Sequence, residues 1–138
     1  MPRMENAGVD NLVTSLEALY RDTDKLQEDI LDDGAVIIKT HVERELFQSG
    51  HTDTGELLNS IKIKKKKSAD GTKSRVIRPM GRDSKNVSNG YKGFVVNYGK
   101  SNMPGDRFWD RAEKAAEPEL QKAADTEINL YLRQKGLI

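Results

Sequence analysis

Apolar residues recur every three, four or seven positions along the first third of the chain, and this spacing predicts a long amphipathic helix there. The residues that share this spacing are Leu12, Leu16, Leu19, Leu26, Ile30, Ile38, Val42 and Leu46. A continuous helix over residues 11–47 would be about 55 Å long, longer than one small core can cover. We therefore expect a break or bend at Gly34, and a surplus apolar stripe near the N-terminus that needs another chain. Residues 1–10 are expected to be disordered.

The apolar period then changes to two, and two isoleucines alternate with lysines. This alternation predicts a strand with one apolar face. Asp70 and Gly71 supply a turn, and residues 75–80 return as a second strand, so residues 60–80 are predicted to form an antiparallel hairpin. The polar residues 81–90 are expected to form a mobile loop.

A third strand is predicted over residues 91–98, because Phe94, Val96 and Tyr98 alternate onto one face. Gly99 is expected to end this strand.

A second helix is predicted after the turn at Pro104-Gly105, with Asp106 as its cap. From Phe108 onward its apolar residues step by four, and the alanines among them allow a close approach to the sheet. Pro118 lies inside this pattern and removes one backbone hydrogen bond, so we expect a kink or a fresh start of the helix there.

Together these elements predict a single α+β domain over residues 1–138. We expect an antiparallel sheet of three or more strands that contains a long basic hairpin. A long N-terminal helix and a C-terminal helix are expected to pack against this sheet.

Charge is segregated along the chain, although the whole is nearly neutral with 23 basic and 22 acidic residues. Residues 1–61 carry 5 basic and 13 acidic residues, residues 62–92 carry 11 and 2, and the remainder carries 7 of each. This asymmetry bears on partners and association rather than on the fold.

The residue inventory argues against an enzyme. The chain has no cysteine, which excludes thiolate nucleophiles, thiolate metal sites and disulfides. Neither His41 nor His51 has a partner at metal-ligand spacing, and no P-loop, dinucleotide fingerprint or Gly-x-Ser-x-Gly motif occurs. We therefore expect no catalytic residues, no cofactor and no metal. No apolar run approaches the roughly 20 residues that span a bilayer, so no membrane partner is expected.

Three segments follow one another in a characteristic order: "TDTGELLNSI" at residues 52–61, "GFVVNYGK" at 93–100 and "DRFWDRAEKAAE" at 106–117. This order resembles the tail-completion and head-tail joining (neck) proteins of long-tailed bacteriophages, over about residues 20–130. The residues that carry the resemblance are Thr54, Gly55, Leu57, Ile61, Tyr98, Gly99 and Phe108. The chain departs from the family pattern at "QSGHTD", where a proline-rich approach is usual, and at Asn97, where an acidic residue is frequent.

The resemblance implies a non-enzymatic structural protein of a phage or prophage virion, located in the neck or at the top of the tail. Such a protein assembles as a ring, commonly of six copies, and is able to be a monomer when free. It would contact the tail tube and the head-connector proteins and bind the passing DNA at most weakly. It would be made in the cytoplasm of the host bacterium. The turns at Thr54-Gly55 and Tyr98-Gly99 would set the corners of a rigid core.

The predicted hairpin carries a basic cluster that is a candidate partner interface, formed by Lys62, Lys64, Lys65, Lys66, Lys67, Lys73, Arg75 and Arg78. Three interpretations stay open. In the first, the lysines keep an exposed strand edge from pairing with other sheets. In the second, they dock on the acidic first segment of the next copy in a head-to-tail ring. In the third, they contact nucleic-acid phosphates, although no aromatic residue lies among the lysines to stack on bases.

Trp109, beside Phe108, is either a core residue at the sheet edge or an interface anchor. For the whole chain, the alternative to a neck protein is a small nucleic-acid-binding module, which would bind DNA or RNA on its own in a salt-dependent manner. A small adaptor of another assembly is the third hypothesis.

Overall fold

The computed structural model describes residues 2–50 and 55–138, with side chains from residue 21 onward in that part of the chain. It is a mixed fold of helices and strands. The elements, in chain order, are α1 (Pro2–Gln48), α2 (Glu56–Asn59), β1 (Ile61–Lys67), β2 (Lys73–Pro79), α3 (Asn89–Tyr98), β3 (Gly99–Lys100), β4 (Met103–Pro104) and α4 (Phe108–Gln134).

The first helix, α1, is uninterrupted over 47 residues, so the chain does not break at Gly34. Gly34 instead lets α4 approach closely, because a Cβ atom at this position would lie 3.3 Å from Leu120 Cδ2. The helix begins at Pro2 and therefore includes most of the segment for which the sequence predicted disorder.

The strands β1 and β2 pair antiparallel, in the segment where alternation predicted two strands. Their register runs from Ile61 opposite Pro79 to Lys67 opposite Lys73. The described residues do not form the larger antiparallel sheet that the sequence predicted, with three or more strands around a long hairpin. Instead β3 and β4 pair with each other as a separate two-stranded sheet.

The prediction of a third strand over residues 91–98 is wrong, because this segment lies in the helix α3. The Ser88 hydroxyl caps the helix by accepting a hydrogen bond from the Tyr91 amide at 3.3 Å. The buried side of α3 consists of Asn89, Gly93, Val96 and Asn97. These residues have helical spacing, but most of them are polar or small, so they leave no apolar period in the sequence. The apolar residues of the segment, Phe94, Val96 and Tyr98, alternate instead and therefore indicated a strand.

The loop between β2 and α3 is organised around Asp83. Its Oδ1 accepts hydrogen bonds from the amides of Lys85 at 2.9 Å and Val87 at 2.8 Å, and its Oδ2 lies 2.8 Å from Lys92 Nζ. The Lys92 and amide hydrogen bonds lower the pKa of Asp83. The mobility expected for residues 81–90 stays a prediction.

The last helix, α4, passes through Pro118 as one helix instead of starting afresh there. The cap predicted at Asp106 is wrong. The residue before the helix is Arg107, which has a φ of 62° and makes no side-chain capping bond. The Asp106 carboxylate instead accepts a hydrogen bond from Arg111 Nη2 at 2.8 Å.

The core lies where the four helices meet β1. Its buried apolar residues are Val42, Leu46, Leu57, Ile61, Val96, Phe108 and Ala112. Full burial of one large apolar side chain contributes about 1.5–3 kcal/mol, so this cluster is a main stabilising contribution. Further along the same pair of helices, the buried alanines Ala35 and Ala116 are small enough for α1 and α4 to pack closely.

Candidate functional site

The β1–β2 sheet has two unlike faces, because directly paired residues of an antiparallel sheet lie on the same side. The inner face carries Ile61, which is buried, and Ile77, which packs against the core. The predicted interface residues on this inner face are Lys65, Lys67, Lys73 and Arg75. Those on the outer face are Lys62, Lys64, Lys66 and Arg78.

On the inner face, Arg75 binds the first helix of its own chain. Its side chain is only 4% exposed, its Nε donates to Asp32 Oδ1 at 2.8 Å, and its Nη2 donates to Glu28 Oε2 at 3.2 Å. The hydrogen bond and the charge of Arg75 lower the pKa of Asp32. Because a buried guanidinium is costly when it is unpaired, these two bonds tie β2 to α1.

Lys73 makes the same kind of contact two residues earlier on β2. It binds Asp24, and its Nζ lies 3.2 Å from Glu28 Oε1. The hydrogen bond to Asp24 is the main cause that raises the pKa of Lys73. Asp24, Glu28 and Asp32 are spaced by four and form one row along α1. Two of the four inner cations, Lys73 and Arg75, therefore bind the acidic segment of the same chain, whereas the docking hypothesis assigned them to the next copy. Lys65 and Lys67 are exposed and form no ion pair within the described residues.

The outer face has no such partners. Its four cationic residues are exposed, and within the described part of the chain none of their charged groups lies within 4.0 Å of a carboxylate. We call Lys62, Lys64, Lys66 and Arg78 the basic outer face. Its lysines alternate along β1 and are therefore about 6.7 Å apart.

A group of carboxylates that form no ion pair among the described residues lies between α1 and α4. Asp29 and Asp33 are four residues apart on α1, and Asp29 lines a cavity with Glu127 of α4. Lys25 and Lys135 line the same cavity, and Lys135 is paired with Asp22. A hydrogen bond with Asp33, together with burial and the charges of Asp33 and Asp29, raises the pKa of Glu127. In the described ranges, no lysine or arginine nitrogen lies within 4.0 Å of these three carboxylates. We call them the carboxylate cluster.

Three aromatic side chains occupy the outward side of α3. Tyr91, Phe94 and Tyr98 are 62%, 59% and 51% exposed, and their spacing places them on one side of the helix. The rings of Phe94 and Tyr98 are 4.8 Å apart, and the Arg107 guanidinium lies 5.0 Å from the centre of the Tyr98 ring. We call the three side chains the aromatic face. The sequence signal was their spacing of three and four, which the strand prediction overlooked.

Between α3 and α4 two glycines let backbone segments cross. A Cβ atom on Gly99 would lie 2.5 Å from Gly105 N, and one on Gly105 would lie 2.4 Å from the carbonyl oxygen of Asn97. Gly99 also has a φ of 83°, which a residue with a side chain rarely adopts. The close crossing of the backbone therefore explains why both residues at this turn are glycine.

The crossing brings Asn97 to the start of α4. Its Oδ1 accepts a hydrogen bond from the Trp109 amide at 3.0 Å, and its carbonyl oxygen accepts one from the Arg107 amide at 3.0 Å. Asn97 therefore caps α4 from a different helix. Capping residues are recognised in a sequence by their position next to the helix, so the sequence carries no signal for a cap from Asn97.

The other residues that carry the family resemblance have structural positions. Leu57, Ile61 and Phe108 are buried in the core. Gly55 precedes α2 with a φ of 71°, a value that glycine adopts without strain. Thr54 lies outside the described residues.

Two further candidates from the sequence have local partners. Trp109 is half-buried against the core, with its ring centre 6.1 Å from that of Phe108, which is the core position that we weighed against an interface anchor. His41 is buried, and its Nε2 lies 3.0 Å from Glu119 Oε1. His51 lies outside the described residues.

The described part of the chain contains neither a candidate metal-binding cluster nor a candidate membrane-spanning helix. Within it, no group of three or more histidine, aspartate or glutamate residues could hold a metal ion. None of the helices described there combines the length and apolarity that crossing a membrane requires.

Comparison of the chain with protein-family models, with curated proteins and with solved structures gave no match.

Proposed function

We propose that this chain is a non-enzymatic structural protein of a phage or prophage head-tail interface. In this role it is a tail-completion or neck component that assembles as a ring at the top of the tail and joins the tail to the head connector. The order of the three sequence segments supports the family assignment. The aromatic face of α3 is the observation that carries the assembly function.

The aromatic face has the composition of a protein-protein interface. Three of the eight aromatic residues of the chain lie on one exposed helix side, with an arginine against one of the rings. Tyrosine, phenylalanine and arginine are enriched at such interfaces, and clustered exposed apolar side chains mark them. Because the Ser88 cap and the glycine crossing hold both ends of α3, the face is preorganised and loses little conformational entropy on binding.

A ring of identical subunits also needs two unlike surfaces on each subunit, one for each neighbour. The basic outer face is a candidate for one of these surfaces, and the aromatic face is a further contact surface on a different element of the chain. The same surfaces are available for the tail tube and the connector.

The test is assembly, followed by negative-stain electron microscopy and light scattering, for the protein alone and with purified tail tubes and connectors. We expect rings from the wild type and none from the double variant Tyr91→Ser/Phe94→Ser. Phe47→Ser is the matched control, because Phe47 is 67% exposed on α1 but lies outside the aromatic face. Wild-type protein that stays monomeric in all of these mixtures would refute the neck assignment, and rings that survive the double variant would remove the role of the aromatic face.

The unpaired basic outer face favours a second candidate function, a small nucleic-acid-binding module. Fluorescence anisotropy of a labelled DNA duplex at about 50 and 200 mM salt tests it, because several phosphate contacts lose orders of magnitude in affinity over this range. Tight binding with a steep salt dependence would support the module and count against the neck protein. Weak, salt-insensitive binding would exclude the module.

A further inference from the structure

Within the described residues, two charged surfaces bind to each other, and we call them the satisfied pair; two others form no ion pairs, and we call them the unsatisfied pair. In the satisfied pair, cations on the inner side of the β1–β2 sheet bind a row of carboxylates spaced by four on α1. The basic outer face and the carboxylate cluster repeat these two elements, a strand row of cations and a helix row of carboxylates. Among the described residues, they form no ion pair with each other.

The spacings of the two unsatisfied surfaces match. Alternate lysines on β1 are about 6.7 Å apart, and Asp29 and Asp33 are separated by about 6 Å along α1. Two neighbouring lysines of the basic outer face are therefore able to contact Asp29 and Asp33 at the same time. Lys73 and Arg75 contact the row of Asp24, Glu28 and Asp32 within the chain in the same way.

We propose that the basic outer face of one copy docks on the carboxylate cluster of a second copy, in a head-to-tail contact. This inference rests on the proposed function, because it names the contact between neighbouring subunits of the ring. The two surfaces are different, so the contact is heterologous and propagates from copy to copy until a ring or an open chain results.

Two observations favour a second copy over a nucleic acid as the partner. The residues opposite Lys64 and Lys66 on the outer face are Val76 and Ser74, so the face offers no aromatic ring for stacking on bases. The chain as a whole has a formal net charge of only +1, which provides little long-range attraction for a polyanion.

The electrostatics of the carboxylate cluster agree with a cationic partner. Its three acidic groups repel one another, and this repulsion contributes to the raised proton affinity of Glu127. Lysines from a neighbouring copy would relieve the repulsion, as Arg75 does for Asp32 within the chain.

A charge-swap experiment tests the contact. One variant reverses the basic outer face (Lys62→Glu, Lys64→Glu, Lys66→Glu), and the other reverses the carboxylate cluster (Asp29→Lys, Asp33→Lys, Glu127→Lys). Self-association is measured by sedimentation velocity at low salt for the wild type, for each variant and for their equimolar mixture. Each variant alone should associate about tenfold more weakly or worse than the wild type, since each exposed pair contributes a factor of a few. The mixture should recover association, because each contact between one variant and the other then joins opposite charges.

The controls separate this contact from folding and from net charge. Circular dichroism checks that each variant is folded, and the neutral variant Asp29→Asn/Asp33→Asn/Glu127→Gln replaces the reversed cluster if that variant is unfolded. It should weaken association by a factor of a few. The variant Lys85→Glu/Lys100→Glu/Lys114→Glu changes the net charge by the same amount on exposed lysines elsewhere, and it should associate like the wild type.

Four results would overturn the inference. The first is a mixture that associates no better than the single variants, and the second is a wild type that does not associate at low salt. The third is duplex DNA that binds the wild type and not the basic-face variant while self-association is unchanged, which assigns the face to nucleic acid. The fourth is rings on tail tubes or connectors that persist in the basic-face variant, which would remove this contact and leave the neck assignment intact. Failure of the proposed function is read separately, as a wild type that forms no rings in any of these mixtures.

Discussion

Replacing Asn97 by alanine removes the side-chain oxygen that accepts a hydrogen bond from the Trp109 amide at 3.0 Å. The Asn97 residue is only 3% exposed, so water does not replace the lost acceptor. The substitution therefore tests whether α4 is capped from α3, across a connection that has no capping side chain of its own.

The loss of stability can be calculated in two ways, with the hydrogen bond between Asn97 and Trp109 taken as a helix cap or as a buried hydrogen bond. An N-cap residue replaced by alanine costs about 1 kcal/mol, with a range of about 0.5–2 kcal/mol. A buried amide left without an acceptor costs about 1–3 kcal/mol. Because burial excludes water here, we expect a loss of about 2 kcal/mol in the free energy of unfolding. With a urea dependence of about 2 kcal/mol per molar, the midpoint falls by about 1 M.

The assay is urea denaturation followed by far-ultraviolet circular dichroism. Asn129→Ala is the matched control, because Asn129 is an exposed asparagine on α4 and alanine is the better helix former there, so stability should be unchanged or slightly higher. An Asn97→Ala protein that loses less than about 0.5 kcal/mol, the usual range for a neutral surface substitution, would refute the capping argument.

Two further predictions use the same denaturation assay. Gly105→Ala should lower stability by about 1–3 kcal/mol or more, because the new Cβ would lie 2.4 Å from the Asn97 carbonyl oxygen and the backbone must move. The control is Gly90→Ala in α3, where the new Cβ would meet nothing closer than 3.6 Å, so this variant should be neutral or stabilising. Glu127→Gln should stabilise the protein at pH 7 and lose this advantage at pH 4. The pKa of Glu127 is raised in the folded chain, so its contribution to folding is fully present below the ordinary glutamate value and is lost as the pH rises from that value through the raised value of the folded chain. Equal effects of this variant at both pH values would show that the hydrogen bond to Asp33 does not control the proton.

Local side-chain patterns were sufficient to predict much of the fold. The apolar spacing predicted the helix that contains Val42 and Leu46, both fully buried in α1. The alternation around Ile61 predicted a strand, and its partner strand follows in antiparallel register. The stripe from Phe108 predicted the long C-terminal helix. In each case the buried residues are apolar, so the pattern in the sequence is also the pattern of burial.

The prediction failed where the buried side of an element is not apolar. α3 buries Asn89, Gly93 and Asn97 together with one valine, and Gly93 packs against the Pro79 ring, where a Cβ atom would lie only 3.0 Å from Pro79 Cγ. Neither asparagine nor glycine signals burial from the sequence. The aromatic residues that suggested a core strand are exposed instead.

The candidate interaction surfaces were predictable in composition and not in arrangement. The sequence identified every basic residue of the β1–β2 sheet as a candidate partner residue. Only the strand register separates the inner Lys73 and Arg75, which bind α1, from the outer Lys62, Lys64 and Lys66, which remain available.

The sequence alone therefore determined the two long helices, the alternating strands and the segregation of charge, because each depends on residues close together along the chain. The tertiary structure decided which carboxylates meet which cations, which asparagine caps α4, and that Tyr91, Phe94 and Tyr98 face outward from a helix. These depend on distances between residues that are far apart in sequence, such as the 43 positions between Asp32 and Arg75. Such distances are set only when the apolar faces of all the elements are buried together.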